Sequence, residues 1–119
     1  RMGLPVDKLI IATNSNDILA RTLETGTYSM GGVSPTLSPS MDIQISSNFE
    51  RLLFDLHGRN GAAIHDKMNK LRSEKKLTLS AEAYAQFKQE FAAGSADDTA
   101  TLATIKAVHA KTGELLDPH

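Results

Sequence analysis

Apolar residues along this chain recur with two different periods, and each change of period marks a change of element. Residues 8–13, KLIIAT, form a short apolar run rich in isoleucine, just after Gly3 and Pro5. The run predicts a buried strand of the parallel kind. Asn14 or Ser15 then predicts a helix cap, with the helix passing through Asn16, Asp17 and Ile18 to Glu24 and stopping at Gly26. A strand leading at once into a capped helix is half of a βαβ unit, so the first quarter predicts a doubly wound α/β sheet.

Residues 27–40 hold Gly31, Gly32, Pro35 and Pro39 among several hydroxyl side chains, which predicts a long irregular loop. Such a loop either wraps the surface or borders a site. Met41, Ile43 and Ile45 alternate with Asp42, Gln44 and Ser46, the pattern of a half-buried extended piece. Ser47-Asn48-Phe49-Glu50 fits a capping box, and Phe49, Leu52, Leu53 and Leu56 fall on one helix face that Gly58 closes. Three more helices are expected beyond it. Ile64, Met68 and Leu71 give the stripe of a helix over 61–74. Ser80 caps the next, with Leu79 and Tyr84 placed as a hydrophobic staple and Tyr84, Phe87 and Phe91 on the buried side up to Gly94. Ser95 with Asp98 opens the last, with Leu102, Ile105 and Val108 or His109 on its face and Gly113 at its end. The expected division is therefore residues 1–57 as a piece of an α/β domain and 58–119 as a helical insertion region.

Composition narrows the function classes. The 119 residues carry a net charge of -1, with 40% hydrophobic and 23% charged residues, as in one globular domain or less. There is no basic excess to neutralise phosphates, so nucleic acid is not an expected partner. No apolar run approaches the roughly 18 residues of a membrane span. Cysteine is absent, which excludes disulfides and thiolate chemistry and makes a cytoplasmic location the default. The four histidines, His57, His65, His109 and His119, lack metal-ligand spacing, so no metal is expected.

PTLSPSMDIQISSNFERLLFDL at 35–56, with ATNSNDIL at 12–19, resembles threonine synthase of the bacterial and fungal type. The similarity extends to Arg1-Met2-Gly3-Leu4-Pro5, like the run after that family's phosphate loop, and to Asp117-Pro118-His119, like the start of its Asp-Pro-His-Thr segment. The resemblance implies a pyridoxal-phosphate enzyme of fold type II, a lyase that converts O-phospho-L-homoserine and water into L-threonine and phosphate. It also implies that this chain is an internal piece, as its first residue, Arg1, suggests. The family's Schiff-base lysine lies in a Phe-Lys-Asp motif, whereas the one Phe-Lys pair here, Phe87-Lys88, precedes Gln89. The chain alone is thus expected to bind no cofactor and to be inactive, and its missing sheet neighbours make self-association an expectation.

Candidate substrate-site residues follow from position. Asn14, Asn16 and Asp17 lie where a strand ends and a helix begins, the place where open α/β sheets hold ligands. Ordinary capping is the alternative. Ser38, Ser40, Ser46, Ser47 and Asn48 surround the next helix start, and Arg51 can grip a carboxylate or phosphate. Loop hydrogen bonds and a structural ion pair are the alternatives for these. From periodicity alone, a small helical protein-interaction module without catalysis also stays open, but a buried strand leading into a capped helix serves no purpose in such a module.

Overall fold

The computed structural model describes residues 3–119; the resemblance noted at Arg1 and Met2 lies outside them. The apolar run forms strand β1 (Leu9–Thr13), followed by helix α1 (Ile18–Thr25) and strand β2 (Thr27–Ser29). A single 3-10 turn at Pro39–Met41 precedes α2 (Ser47–Leu56) and α3 (Gly61–Glu74). Strand β3 (Lys76–Thr78), α4 (Ala81–Glu90), β4 (Phe91–Ser95) and α5 (Asp98–Thr112) complete the order. The fold is α/β.

Two short strand pairs tie the halves of the chain together. β1 and β4 pair in parallel, Leu9 with Phe91 through Thr13 with Ser95. β2 and β3 pair antiparallel, with Tyr28 opposite Leu77. Both pairings cross the expected boundary at 57/58, so the second half carries two strands besides its helices. The expectation that helix continued through Phe91 to Gly94 is corrected: the backbone turns extended at Phe91, where β1 offers a ladder for residues 91–95. Tertiary pairing outweighs the helical spacing of Tyr84, Phe87 and Phe91.

Three helix starts shift by one to three residues from those expected. Asp17, not Asn14 or Ser15, stands at the N-cap of α1, and its side chain makes no capping bond. Its carboxylate instead pairs with Arg21 at 2.8 Å. Ser46, not Ser47, caps α2 by accepting from the Phe49 N–H, which leaves Glu50 one position too late to complete a capping box. Ser80 caps α4 as expected, whereas Asp97, not Ser95, caps α5 because Ser95 is already committed to β4. Gly26 stops α1 with φ +72, and Gly58 follows α2 with φ +62, conformations that cost a residue with a Cβ.

The core is an aromatic row. Tyr28 stacks on Phe49 at 4.7 Å, Phe49 meets Phe87 at 5.9 Å, and Phe87 meets Phe91 at 5.3 Å. It links β2, α2 and the consecutive α4 and β4, three stretches far apart in sequence. Leu53, Ile64, Met68 and Leu71 fill the space beside it, as the helical stripes of α2 and α3 predict. Other apolar faces stay open. β1 is not buried as expected, since Ile10 is 76% exposed, and α5 buries none of its residues. The piece at 41–46 keeps its alternation with the faces reversed: Met41, Ile43 and Ile45 are exposed while Asp42, Gln44 and Ser46 turn inward.

Candidate functional site

The reversal at 41–46 has a cause in hydrogen bonding. Polar side chains turn inward at little cost when each finds partners there. The Gln44 side chain accepts from the Gly31 N–H and donates to the Gly32 carbonyl. The Ser46 N–H donates to the Tyr28 hydroxyl at 3.0 Å, and that hydroxyl donates to the Gln44 carbonyl at 2.7 Å. Burial pushes the Tyr28 phenol above its ordinary value of 10.0, and the Ser46 N–H offsets part of that rise.

Asp42 is the hub. Its Oδ1 accepts from Asn14 Nδ2 at 2.7 Å, Asn16 Nδ2 at 2.8 Å and the Thr36 hydroxyl at 2.7 Å. Its Oδ2 accepts from the Thr36 N–H at 2.9 Å. Partial desolvation alone would raise this carboxyl; the four donors outweigh it and hold the pKa below the usual value. Asn16 also brackets Ser34, accepting from its N–H and donating to its carbonyl, each at 2.9 Å. Asn14 Oδ1 accepts from the Asn16 N–H at 2.8 Å. Asn14 and Asn16 therefore do not cap α1; they clamp the loop after β2 onto the end of β1.

That clamp shapes a cleft at the C-terminal end of the parallel strand pair. A cavity of about 160 Å³ is lined by Thr13, Asn14, Ser38, Met41, Ala96, Thr101, Pro118 and His119, among others. Ser38 donates its hydroxyl to the Pro118 carbonyl, and Ser40 Oγ lies 3.0 Å from His119 Nδ1. Hydroxyls, an amide and an imidazole thus converge where parallel sheets present their ligands.

The other candidates lie elsewhere. Asp17 borders a separate hollow with Arg21, Lys88, Gly94 and Ser95. Ser47 and Arg51 open onto a groove of about 500 Å³ between α2 and α3, with Glu50, Phe54, Ile64 and His65. Asn48 accepts from Arg51 Nη1 at 3.3 Å. No group of three or more His, Asp or Glu residues able to hold a metal ion occurs among the described residues. Sequence reasoning missed Asp42, which alternation placed on the outside. The available signal was three amide or hydroxyl residues, Asn14, Asn16 and Thr36, needing an acceptor.

A parallel strand pair with a polar cleft at its carboxyl edge, elaborated by helices, defines a segment of an α/β fold. A scan against protein-family models finds no match. Among curated proteins, the chain is 48% identical over 118 residues to threonine synthase from Pseudomonas aeruginosa, covering 99% of this chain and 25% of that protein. It is 37% identical over 133 residues to threonine synthase from Saccharomyces cerevisiae, covering 100% of this chain and 26% of that protein. Among solved structures, PLP-bound threonine synthase from Brucella melitensis matches with a TM-score of 0.91 and 56% identity over 99% of this chain and 25% of that one. The yeast enzyme matches with a TM-score of 0.89 and 36% identity, over 99% and 26%. The chain spans about a quarter of the length of the relatives it matches. Over that quarter, its sequence and backbone are similar to those of the threonine synthases.

Proposed function

We propose that this chain serves as a framework segment of a pyridoxal-phosphate-dependent threonine synthase, the intact protein converting O-phospho-L-homoserine and water into L-threonine and phosphate. The likeness in sequence and backbone across nearly the whole chain carries this reading. When bound, pyridoxal phosphate supplies the electron sink for the chemistry at the substrate carbons. The residues of this segment do not themselves fit that group. Seven of its eight lysines are solvent-exposed and Lys67 is only partly covered, whereas a Schiff-base amine needs an enclosed pocket. The segment instead lines the substrate side. Asn14, Ser38, Thr13 and His119 face the polar cleft, and Ser40 meets His119 at its edge. Asn16 supports its wall through Asp42, Asp17 borders the separate hollow beside Arg21, and Ser47 and Arg51, the latter bonded to Asn48, serve the groove between α2 and α3.

The test is direct. Intact protein carrying this segment, loaded with pyridoxal phosphate, releases threonine and phosphate in equal amounts from O-phospho-L-homoserine. Absence of turnover under conditions that support an authentic threonine synthase refutes the reading. The 119-residue chain alone develops no internal-aldimine absorbance with pyridoxal phosphate, and a stable aldimine on any of its lysines counts against the framework role.

A further inference from the structure

The polar hub carries more than a structural tie. Loop 34–41 has no strand ladder to hold it, and it places Ser38 at the cleft and Ser40 against His119, which lines the cleft. Four donors converge on one carboxylate, from residues 6, 26 and 28 positions away. The chain of contacts then runs on toward the cleft, since the Ser38 N–H donates to Thr36 Oγ1 at 3.1 Å. Asn14, which lines the cleft, donates to Asp42 and also to Thr36 Oγ1 at 2.9 Å. Asp42 does not line that cleft. We propose that Asp42 is a positioning residue: through Thr36 and Asn14 it sets where Ser38 and Asn14 stand against the substrate. The inference rests on the proposed function for the identity of the substrate, but not for the clamp itself.

The two carboxylate oxygens have different tasks, and this makes an isosteric test possible. In Asp42→Asn the amide oxygen can keep the three Oδ1 donors, while the amide nitrogen then faces the Thr36 N–H, donor against donor. The opposite flip sets three donors against the nitrogen and is worse. The side chain keeps its volume, so packing is undisturbed.

The experiment uses the intact holoenzyme with three readouts: steady-state kinetics on O-phospho-L-homoserine, cofactor absorbance, and backbone amide exchange over loop 34–41. Asp42→Asn is expected to raise KM about tenfold, the worth of one hydrogen bond to a charged group, with kcat within about twofold and cofactor absorbance unchanged. Amide exchange at Thr36 and Ser38 quickens in parallel. Thr36→Val keeps the N–H bond but removes the hydroxyl that links Asp42, Ser38 and Asn14, so it gives a KM rise at least as large and guards against a folding failure of the first variant. An unchanged KM in a folded variant overturns the proposal, as does a loss of kcat that merely follows a loss of thermal stability. If the unaltered enzyme does not use O-phospho-L-homoserine, the functional reading has failed. The clamp is then judged by exchange alone: quickened exchange supports it, and unaltered exchange overturns it.

Discussion

The two tyrosines of this chain offer a controlled measurement of what a buried hydrogen bond contributes. Tyr28 is 1% exposed, and its hydroxyl both donates to the Gln44 carbonyl at 2.7 Å and accepts from the Ser46 N–H at 3.0 Å. Ser46 is itself buried and caps α2, so the hydroxyl joins β2 to the start of the next helix. Tyr28→Phe keeps the ring stacked on Phe49 and removes only the oxygen. Two net hydrogen bonds at ~1 kcal/mol each are lost, and the Ser46 N–H is left buried without an acceptor, so the expected destabilisation is about 2–3 kcal/mol. Tyr84 is the control. Its hydroxyl donates to the Glu24 carbonyl at 2.6 Å in an exposed position where water can replace it, so Tyr84→Phe costs roughly 0.5 kcal/mol. Urea unfolding of both variants, followed by circular dichroism at matched m-values, gives the difference. Equal losses at the two positions would show that burial of the Tyr28 partners is not what sets the value, and the reasoning fails.

The remaining predictions follow from single features. Gly26→Ala places a Cβ 3.2 Å from the Tyr84 ring at φ +72, so it destabilises the chain by about 1–2 kcal/mol, read from the urea midpoint. Burial raises the Tyr28 pKa, so its contribution is complete below pH 10.0, the unfolded value, and is lost as pH rises through the higher folded value. Unfolding measured from pH 9 upward therefore loses part of its alkaline slope in Tyr28→Phe; an unaltered slope contradicts the assignment. The isolated chain is expected to self-associate through its exposed parallel strand pair, and Ile10→Lys, at a position already 76% exposed, is expected to favour the monomer in sedimentation velocity.

Local signals carried much of this fold. The isoleucine run was enough for β1, Gly26 and Gly113 for two helix ends, and the Ile64, Met68 and Leu71 stripe for α3, because each depends on neighbours within a turn or two. β2, β3 and β4 were not legible, since three or five residues become strand only when a distant partner supplies the ladder. Phe91 shows the competition plainly: its spacing from Phe87 suits a helix, yet pairing with Leu9, 82 positions earlier, draws it into β4. The candidate site divided in the same way. Asn14, Asn16 and Ser40 stood out by their place at a strand end and in a loop, but their common organiser, Asp42, did not.

By itself, then, the sequence determined where chain segments prefer helix or extended backbone, which residues can cap or stop them, and which known proteins they resemble. Tertiary structure alone decided which face of 41–46 turns inward and which of the polar residues meet. The reason is that side-chain periodicity records alternation but not direction. Direction depends on whether an inward polar group finds donors, and Asn14, Asn16 and Thr36 supply them to Asp42 only once the chain has folded back on itself.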